Sequence, residues 1–378
     1  MKNITKKISA FAIAAALAVS TAGCTIGSGK WSYKTKVSEI SAGSWIYRTY
    51  ESYQEALSKI QEANEGNSDF DIQLIDITKE KIEDKNAVDW IFDDAKDKCL
   101  SLLNIEALAK SNDVVIDETQ IQTTGDMYIQ YYYSGSEEAT AFYEKLGVSK
   151  ESFAECNTRY NYIYQDLFKK LYGKDGKKEV SDEDVKKYYK ENYISYYYIP
   201  YSLKTTDEDN NIVDIDGETK EKAIANFNKY RNMINNDKKT TDDIEEAYKT
   251  DFEVESVPSS KNTVLTKNFD EDENISDELR KAIKDNKEKQ ATVTTIDDKL
   301  YLIYRDSISE LSEKIKYSDD AGEDETDYIS KDNIIYTMKK EEYDKFLDEQ
   351  KKDLKYETND EAIKKYSIER TVKIARQG

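Results

Sequence analysis

Residues 179–200 read EVSDEDVKKYYKENYISYYYIP, and this stretch decides the fold because its pattern changes from helical to extended within one continuous run. Ser181 is followed by three acidic residues, which is typical of a helix start, since serine caps free N–H groups and acidic side chains favour the positive helix end. Tyr196–Ile199 is a run of aromatic and β-branched residues, typical of a strand. Pro200 is expected to close that strand. The sequence therefore predicts a helix to about Asn192 and a strand soon after it.

The region before this stretch is predicted to be helical. Apolar residues recur at three- and four-residue spacing over 87–110, the strongest helical period in the chain. A further helix is expected over 136–146, ended by Gly147, because glycine readily adopts the left-handed conformation that follows many helices. Another helix is expected from 149 to 172. Together these patterns predict an all-helical region over residues 37–192.

The region after this stretch is predicted to alternate helices with extended segments. Helices are expected at 219–234, 242–248 and 276–284. Thr292–Ile296 and Leu300–Tyr304 flank an Asp-Asp pair and are predicted to form a β-hairpin. Residues 193–308 are therefore interpreted as a small mixed α/β domain.

The last part of the chain, residues 309–378, begins with an acidic segment and carries one more helix. Residues 318–327 are rich in Asp and Glu and are predicted to form a solvated loop. Met338–Leu354 has apolar residues at helical spacing and is predicted to be an amphipathic helix that packs back on the helical region.

The N-terminus has the pattern of an export signal. Three lysines precede an apolar run from Ile8 to Val19, which is shorter than the roughly 20 residues that span a bilayer. Cys24 follows Ala22-Gly23 and resembles the cysteine of a bacterial lipobox, although Thr21 stands where the family usually has Leu. This resemblance implies cleavage after residue 23, a lipid on Cys24 and a tether over 24–36. An ordinary secretory signal with an incidental cysteine is the alternative.

Composition excludes several classes of function. The chain has 378 residues with 56 Lys+Arg, 77 Asp+Glu and no His, which gives a formal net charge of −21. Without histidine there is no His-dependent nucleophile and no His-containing metal site. The negative charge argues against nucleic acid as a partner. No cofactor is expected.

Metal and disulfide chemistry are also not predicted. Asp214, Asp216 and Gly217 resemble part of a calcium-binding loop. Ile212 and Ala223 stand where such a loop needs oxygen ligands, so no metal site is predicted. Cys99 and Cys156 lie at helical spacing among apolar residues and are expected to be buried thiols, with a disulfide between them as the alternative.

The order of elements resembles the PrsA/SurA-type foldase lipoproteins. The resemblance rests mainly on Glu179–Asn192, with support from Lys36–Ala56 and Ile275–Asp306, and it covers most of residues 36–378 as a pattern. It implies an α+β fold in which a helical SurA-N-like chaperone module, 37–192, carries an inserted parvulin-like domain, 193–308. The C-terminal helix would return to the helical module.

The same resemblance implies where a prolyl isomerase site would lie. The two positions at which the family uses catalytic histidines fall on Tyr198 and Tyr301. The proline-pocket positions fall on Ile275 and Leu279. We therefore expect a parvulin-like domain that is inactive as an isomerase, with an active peptidyl-prolyl isomerase as the alternative. A four-stranded sheet flanked by short helices is the architecture that would support this interpretation.

The chain holds 30 tyrosines against 10 phenylalanines. Half-exposed tyrosines can bind varied extended peptides, because each ring offers a large contact area and a hydroxyl group at a small entropy cost. The alternative is that each ring simply fills a core. The candidates for client binding are Tyr131, Tyr132, Tyr133, Tyr160 and Tyr164.

The expected function is that of a chaperone or foldase anchored by lipid on the extracytoplasmic face of the cell membrane. Its partners would be unfolded or newly secreted polypeptides, bound in a cleft between the helical module and the parvulin-like domain. A non-enzymatic surface lipoprotein that binds glycans or proteins through tyrosines is the second alternative.

Overall fold

The fold is mixed α+β, 57% helical, with several small sheets. The structure is a computed structural model that describes residues 30–376, apart from 69 and 323–325. The predicted signal peptide and Cys24 lie outside the described residues. Within the described part, no helix combines the length and the apolar composition that crossing a membrane requires.

Fourteen helices are found among the described residues, and in chain order they are α1 Ala42–Ala63, α2 Ala87–Ser111, α3 Glu118–Tyr128, α4 Glu137–Leu146, α5 Lys150–Tyr172, α6 Asp182–Asn192, α7 Gly217–Asn235, α8 Thr241–Phe252, α9 Thr266–Asp270, α10 Asp277–Asp285, α11 Ile308–Ser312, α12 Lys331–Lys352, α13 Asp360–Lys365 and α14 Ile368–Ala375. A π-helical turn, Ile129–Tyr133, continues α3, and a 3₁₀ turn covers Ser318–Asp320.

Thirteen strands are found among the described residues, and in chain order they are β1 Trp31–Lys34, β2 Glu39–Ser41, β3 Lys81–Ile82, β4 Lys85–Asn86, β5 Tyr193–Ser202, β6 Lys204–Thr206, β7 Ile212–Asp214, β8 Ser260–Leu265, β9 Ala291–Ile296, β10 Lys299–Arg305, β11 Ile315–Lys316, β12 Ile329–Ser330 and β13 Glu357–Thr358. Strand β1 lies within the predicted tether, where its buried Tyr33 packs against Trp45.

The chain divides into two compact units. Unit 1 comprises Met1–Leu167 and Asp344–Gly378, and unit 2 comprises Phe168–Tyr343. Unit 2 thus includes helical residues on both sides of the segment 193–308, and the domain boundaries drawn from the sequence stay predictions.

Unit 1 is built around α1 and α2. Tyr53 and Ile60 of α1 share one hydrophobic cluster with Ile91 of α2 and with Ile368 and Val372 of α14. The C-terminal segment is therefore part of this core.

A buried tryptophan adds a polar link to the same core. Trp45 is fully buried, and its indole Nε1 donates a hydrogen bond to the carbonyl oxygen of Tyr366 at 3.2 Å. A buried indole N–H needs such a partner, so this bond fixes the C-terminal segment against α1.

Unit 2 contains a four-stranded antiparallel sheet with the strand order β8-β5-β10-β9. The predicted cap of the preceding helix is confirmed, because the Ser181 hydroxyl accepts a hydrogen bond from the backbone N–H of Asp184 at 3.1 Å. Helix α6 then runs directly into β5, the long strand that pairs on both sides. Strand β8 was not predicted, since its sequence SKNTVL is mostly polar.

The expectation that Pro200 closes β5 is wrong, because the strand continues to Ser202. The backbone groups of Ser195 and Leu203 both hydrogen-bond toward the β10 side. Odd-numbered residues of β5 therefore face β10, and Pro200 faces the β8 side. Pairing between β5 and β8 ends at Tyr198. Position 200 therefore has no partner strand on the β8 side, and a proline, which lacks the N–H, is tolerated there.

The two faces of this sheet bury different clusters. Alternate side chains of a strand point to opposite faces. Tyr197 and Ile199 pack with Phe227 of α7 and Tyr248 of α8 on one face. On the other face, Tyr196 packs with residues of α9 and α10.

The acidic segment is partly structured. The 3₁₀ turn places Asp319 within 2.8 Å of Lys169 and Asp320 within 2.8 Å of Lys174. The helix predicted at Met338 begins earlier, at Lys331. The hydroxyl of Ser330 accepts a hydrogen bond from the N–H of Asn333 at 3.3 Å, which is the cap that the sequence reading overlooked.

Candidate functional site

Unit 1 contains a polar cavity with two aromatic walls. Its volume is about 450 Å³, and Tyr128 of α3 and Tyr160 of α5 contribute the rings. The other lining residues are mostly polar or charged, and they are Arg48, Glu51, Asp97, Lys98, Ser101, Cys156, Asn157 and Asn161. The volume falls within the range of ligand pockets.

Two cations of the lining are held in place by carboxylates and by backbone. The Arg48 guanidinium donates to Glu51 at 2.6 Å and to the carbonyl oxygen of Cys156 at 2.7 Å. Lys98 contacts Glu55 at 2.7 Å and Asp94 at 2.6 Å. Although burial opposes its charge, these two carboxylates hold the pKa of Lys98 above its ordinary value.

One anion of the lining is likewise paired. Asp97 accepts a hydrogen bond from Lys351 of α12 at 2.8 Å. Arg48 and Lys98 therefore balance Glu51 and Asp97 in the lining, and the cavity offers fixed donors and acceptors without a large net charge.

Each of the two tyrosine rings in the cavity lining lies next to a second tyrosine ring. The ring of Tyr160 lies 6.0 Å from that of Tyr164, whose hydroxyl donates to Asp344 at 2.6 Å. Burial, reinforced by nearby carboxylates, raises the pKa of Tyr160 to about 12, so its hydroxyl remains a neutral donor. The ring of Tyr128 lies 5.4 Å from that of Tyr132.

Tyr131, Tyr132 and Tyr133, which the sequence suggested for client binding, lie in the π-helical turn and differ in exposure. Tyr131 and Tyr132 are 66% and 62% exposed, whereas Tyr133 is 1% exposed. The Tyr133 hydroxyl donates to the carbonyl oxygen of Val148 at 2.8 Å. Its ring lies 5.0 Å from that of Tyr143 and 5.6 Å from that of Phe153. Tyr133 therefore fills the core of unit 1 and offers no surface to a client.

Tyr128, Tyr131 and Tyr132 form what we call the tyrosine rim, next to the cavity that Tyr128 lines. Met127, also exposed, adjoins the rim in sequence. The π-helical turn ends α3, and it leaves Tyr131 and Tyr132 in solvent while Tyr133 is buried.

Unit 2 brings together the four residues that the family resemblance singled out. Ile275, Leu279 and Tyr301 are buried in one hydrophobic cluster, and Tyr198 packs against it. The rings of Tyr198 and Tyr301 are 6.0 Å apart in an edge-to-face arrangement. Burial, with the nearby Tyr198 and Asp297, raises the pKa of Tyr301. These four side chains pack on one another within the hydrophobic cluster.

The two cysteines of the described residues are buried free thiols, which confirms the first expectation for them. Burial raises the pKa of the Cys156 thiol to about 12 and also raises that of Cys99. The thiolate is the reactive form, so neither residue is a nucleophile near neutral pH. Among residues 30–68, 70–322 and 326–376, no cluster of three or more Cys, Asp or Glu side chains could hold a metal ion.

Comparison with known proteins adds no relative. No protein-family model matches the chain, and no curated protein matches its sequence.

Sequence reasoning found Tyr160 of the cavity and Tyr131 and Tyr132 of the rim, but it missed Tyr128 and the polar lining. Tyr128 had a usable signal, since it precedes Tyr132 by four residues and such pairs adjoin on a helix. Arg48 had none, because it comes from α1 and is far from α3 and α5 in sequence.

Proposed function

We propose that this chain is a lipid-anchored extracytoplasmic chaperone that holds non-native segments of secreted polypeptides in the cavity and on the tyrosine rim of unit 1. The observation that carries the proposal is the cavity itself, about 450 Å³, with aromatic walls and a charge-balanced polar lining. Rings and adaptable polar groups together suit a surface that binds many sequences.

The fold of unit 2 supports the same proposal. Its four-stranded sheet is flanked by short helices, the architecture that the PrsA/SurA-type resemblance implies for a parvulin-like domain. The lipid anchor rests on the sequence pattern around Cys24. A lipid tether would hold the protein at the membrane surface, where secreted polypeptides emerge.

The proposal assigns no isomerase activity to unit 2. By the family resemblance, Tyr198 and Tyr301 would stand at the positions of the family's histidines, and both pack into a hydrophobic cluster. The uncatalysed barrier is roughly 18–20 kcal/mol, so a small acceleration is readily measured. A proline-containing peptide should isomerise at the uncatalysed rate with the full chain present, and a faster rate would restore the active-isomerase alternative.

The main test is aggregation of an unfolding client in the presence of the full chain. Light scattering of reduced lysozyme should fall when the chain is added in stoichiometric amounts. The double variant Tyr131→Ser with Tyr132→Ser should lose most of this protection. Truncation of central interface rings commonly costs about 1–2 kcal/mol each, which corresponds to roughly tenfold weaker binding per ring.

The matched control is Leu74→Ser, since Leu74 is 83% exposed in unit 1 but lies outside the rim and the cavity lining. Both variants should keep the wild-type melting temperature, because they change exposed side chains. If the full chain protects no client, the chaperone proposal fails. If the control loses as much protection as the double variant, the tyrosine rim is not the binding surface. A glycan array probed with the full chain tests the remaining alternative.

A further inference from the structure

The outer strand of the sheet in unit 2, β8, has one edge that faces away from the sheet. Even-numbered residues of β5 face β8, as the hydrogen bonding of Ser195 toward β10 requires. The residue paired with Tyr196 is Asn262, so Asn262 turns its backbone groups toward β5. Its neighbours Lys261 and Thr263 therefore direct their N–H and C=O groups outward.

This edge is open. Lys261, Asn262 and Thr263 are all exposed, and within the described residues no backbone hydrogen bond reaches the outward groups of Lys261 or Thr263. Natural edge strands are commonly blunted by proline, by charged side chains such as lysine, by a bulge or by a covering segment. The one lysine of β8, Lys261, lies 3.6 Å from the carboxylate of Asp242. Strand β8 contains no proline and pairs with β5 over six consecutive residues without a register shift.

The opposite edge of the sheet is partly closed. On β9, the Asn235 side chain donates to the carbonyl oxygen of Ala291 at 2.9 Å and accepts from its N–H at 2.7 Å. The next outward residue, Val293, is half-buried against the cluster that includes α7. Of the two edges, β8 is the accessible one.

We propose that β8 takes up an extended segment of a non-native, basic client as an additional β-strand. This inference rests on the proposed function, because it assumes that the client is an unfolded polypeptide. Strand addition uses backbone hydrogen bonds, which every sequence offers, and so suits a protein with varied clients.

Charge favours a basic client over a second copy of this chain. Each copy carries a formal net charge of −21, so two copies repel one another, whereas a basic client is attracted. The outward groups of Lys261 and Thr263 supply two N–H donors and two C=O acceptors to the incoming segment.

The test compares two replacements of Thr263 in the full chain. Thr263→Pro removes one outward N–H and places a ring on the edge, yet it removes no hydrogen bond to β5. Thr263→Val keeps the N–H and is the matched control, because both variants lose the hydroxyl group that donates to Ser195 at 2.9 Å. The probe is fluorescent reduced, carbamidomethylated lysozyme, a basic unfolded chain.

Thr263→Pro should raise the dissociation constant about five- to tenfold, whereas Thr263→Val should change it less than twofold. In the wild-type chain, amide hydrogen exchange at Lys261 and Thr263 should slow when the probe is added. Equal affinities for the two variants, or unchanged exchange at both amides, would overturn the inference. So would self-association of the full chain that Thr263→Pro abolishes, since the edge would then pair two copies.

The outcomes separate this inference from the proposed function. If the wild-type chain binds no probe, the chaperone proposal fails and the inference fails with it. If the wild-type chain binds the probe and the Tyr131/Tyr132 variant binds it weakly, while Thr263→Pro binds it normally, only the strand-addition inference fails.

Discussion

Replacing Tyr133 by phenylalanine should destabilise unit 1, whereas the same replacement at Tyr132 should not. The two residues adjoin in the π-helical turn but have opposite environments. Tyr133 is 1% exposed and its hydroxyl donates to the carbonyl oxygen of Val148 at 2.8 Å, and Val148 itself is buried. Tyr132 is 62% exposed. Each replacement removes a single oxygen atom, so the comparison isolates the hydrogen bond.

The expected loss follows from the buried hydrogen bond. A neutral hydrogen bond contributes a net 0.5–1.5 kcal/mol or so, and a buried acceptor left without a partner costs roughly 1–3 kcal/mol. Since the ring of Tyr133 keeps its contacts with Tyr143 and Phe153, Tyr133→Phe should lower the free energy of unfolding by about 1–2 kcal/mol. Tyr132→Phe should change it by less than about 0.5 kcal/mol.

Tryptophan fluorescence measures unit 1 alone, because all 3 tryptophans of the chain, Trp31, Trp45 and Trp90, lie in it. With a urea slope of about 2 kcal/mol/M, the midpoint of the Tyr133→Phe variant should fall by about 0.5–1 M at an unchanged slope. An unchanged midpoint for Tyr133→Phe, or an equal fall for Tyr132→Phe, would refute the assignment of Tyr133 to the core.

Three further predictions concern single groups. Burial raises the pKa of the Glu155 carboxyl, so the folded state binds this proton more tightly than the unfolded state does. The stabilisation of the fold by this proton is fully present below about pH 4.3, the ordinary glutamate pKa. It is lost as the pH rises through the raised pKa. Glu155→Gln should therefore flatten the fall of the urea midpoint of unit 1 above pH 4.3, and an unchanged pH profile would contradict this. Cys99 and Cys156 should resist iodoacetamide at pH 8 in the folded chain and react fully in urea, as mass spectrometry can check, because burial raises both thiol pKa values. Asn235→Ala should destabilise unit 2 by about 1–3 kcal/mol, measured by calorimetry, since it removes both side-chain bonds to Ala291; a loss below about 0.5 kcal/mol would show that this edge needs no cap.

Local patterns predicted the longer helices and the hairpin, but they missed the short helices α9, α11, α13 and α14, and the region predicted to be all-helical, 37–192, contains the strands β2, β3 and β4. Helix α2 runs from Ala87 to Ser111 against a predicted end at Lys110, and Gly147 adopts the expected left-handed conformation with φ of 94°. Both depend on contacts within a few residues of one another, namely a hydrophobic period and a cap. Such signals are written in adjacent sequence, so they can be read without knowledge of the tertiary structure.

The missed features depend on distant partners. Strand β8 has the polar sequence SKNTVL and is a strand because β5 supplies its hydrogen-bonding partner. The strand β1 is fixed by pairing with β2 and with β13 from the far end of the chain. The burial of Tyr133 depends on Phe153 of another helix. The local run of three tyrosines does not reveal this contact.

The features proposed to bind clients in unit 1 and in unit 2 share one physical character. In unit 1, the cavity and rim offer rings and hydroxyl groups, and its charged side chains are already paired with one another. In unit 2, β8 offers backbone groups, and Tyr198 and Tyr301 pack into a core. Rings and backbone bind a chain without regard to its sequence, whereas a catalyst must aim an acid or a base at one bond. In the cavity lining, Glu51 pairs with Arg48 and Asp97 pairs with Lys351, so both carboxylates are engaged in ion pairs. The function proposed for this chain, holding unfolded polypeptides, needs no side chain that titrates near neutral pH, so it places no demand on the one residue type that the sequence lacks.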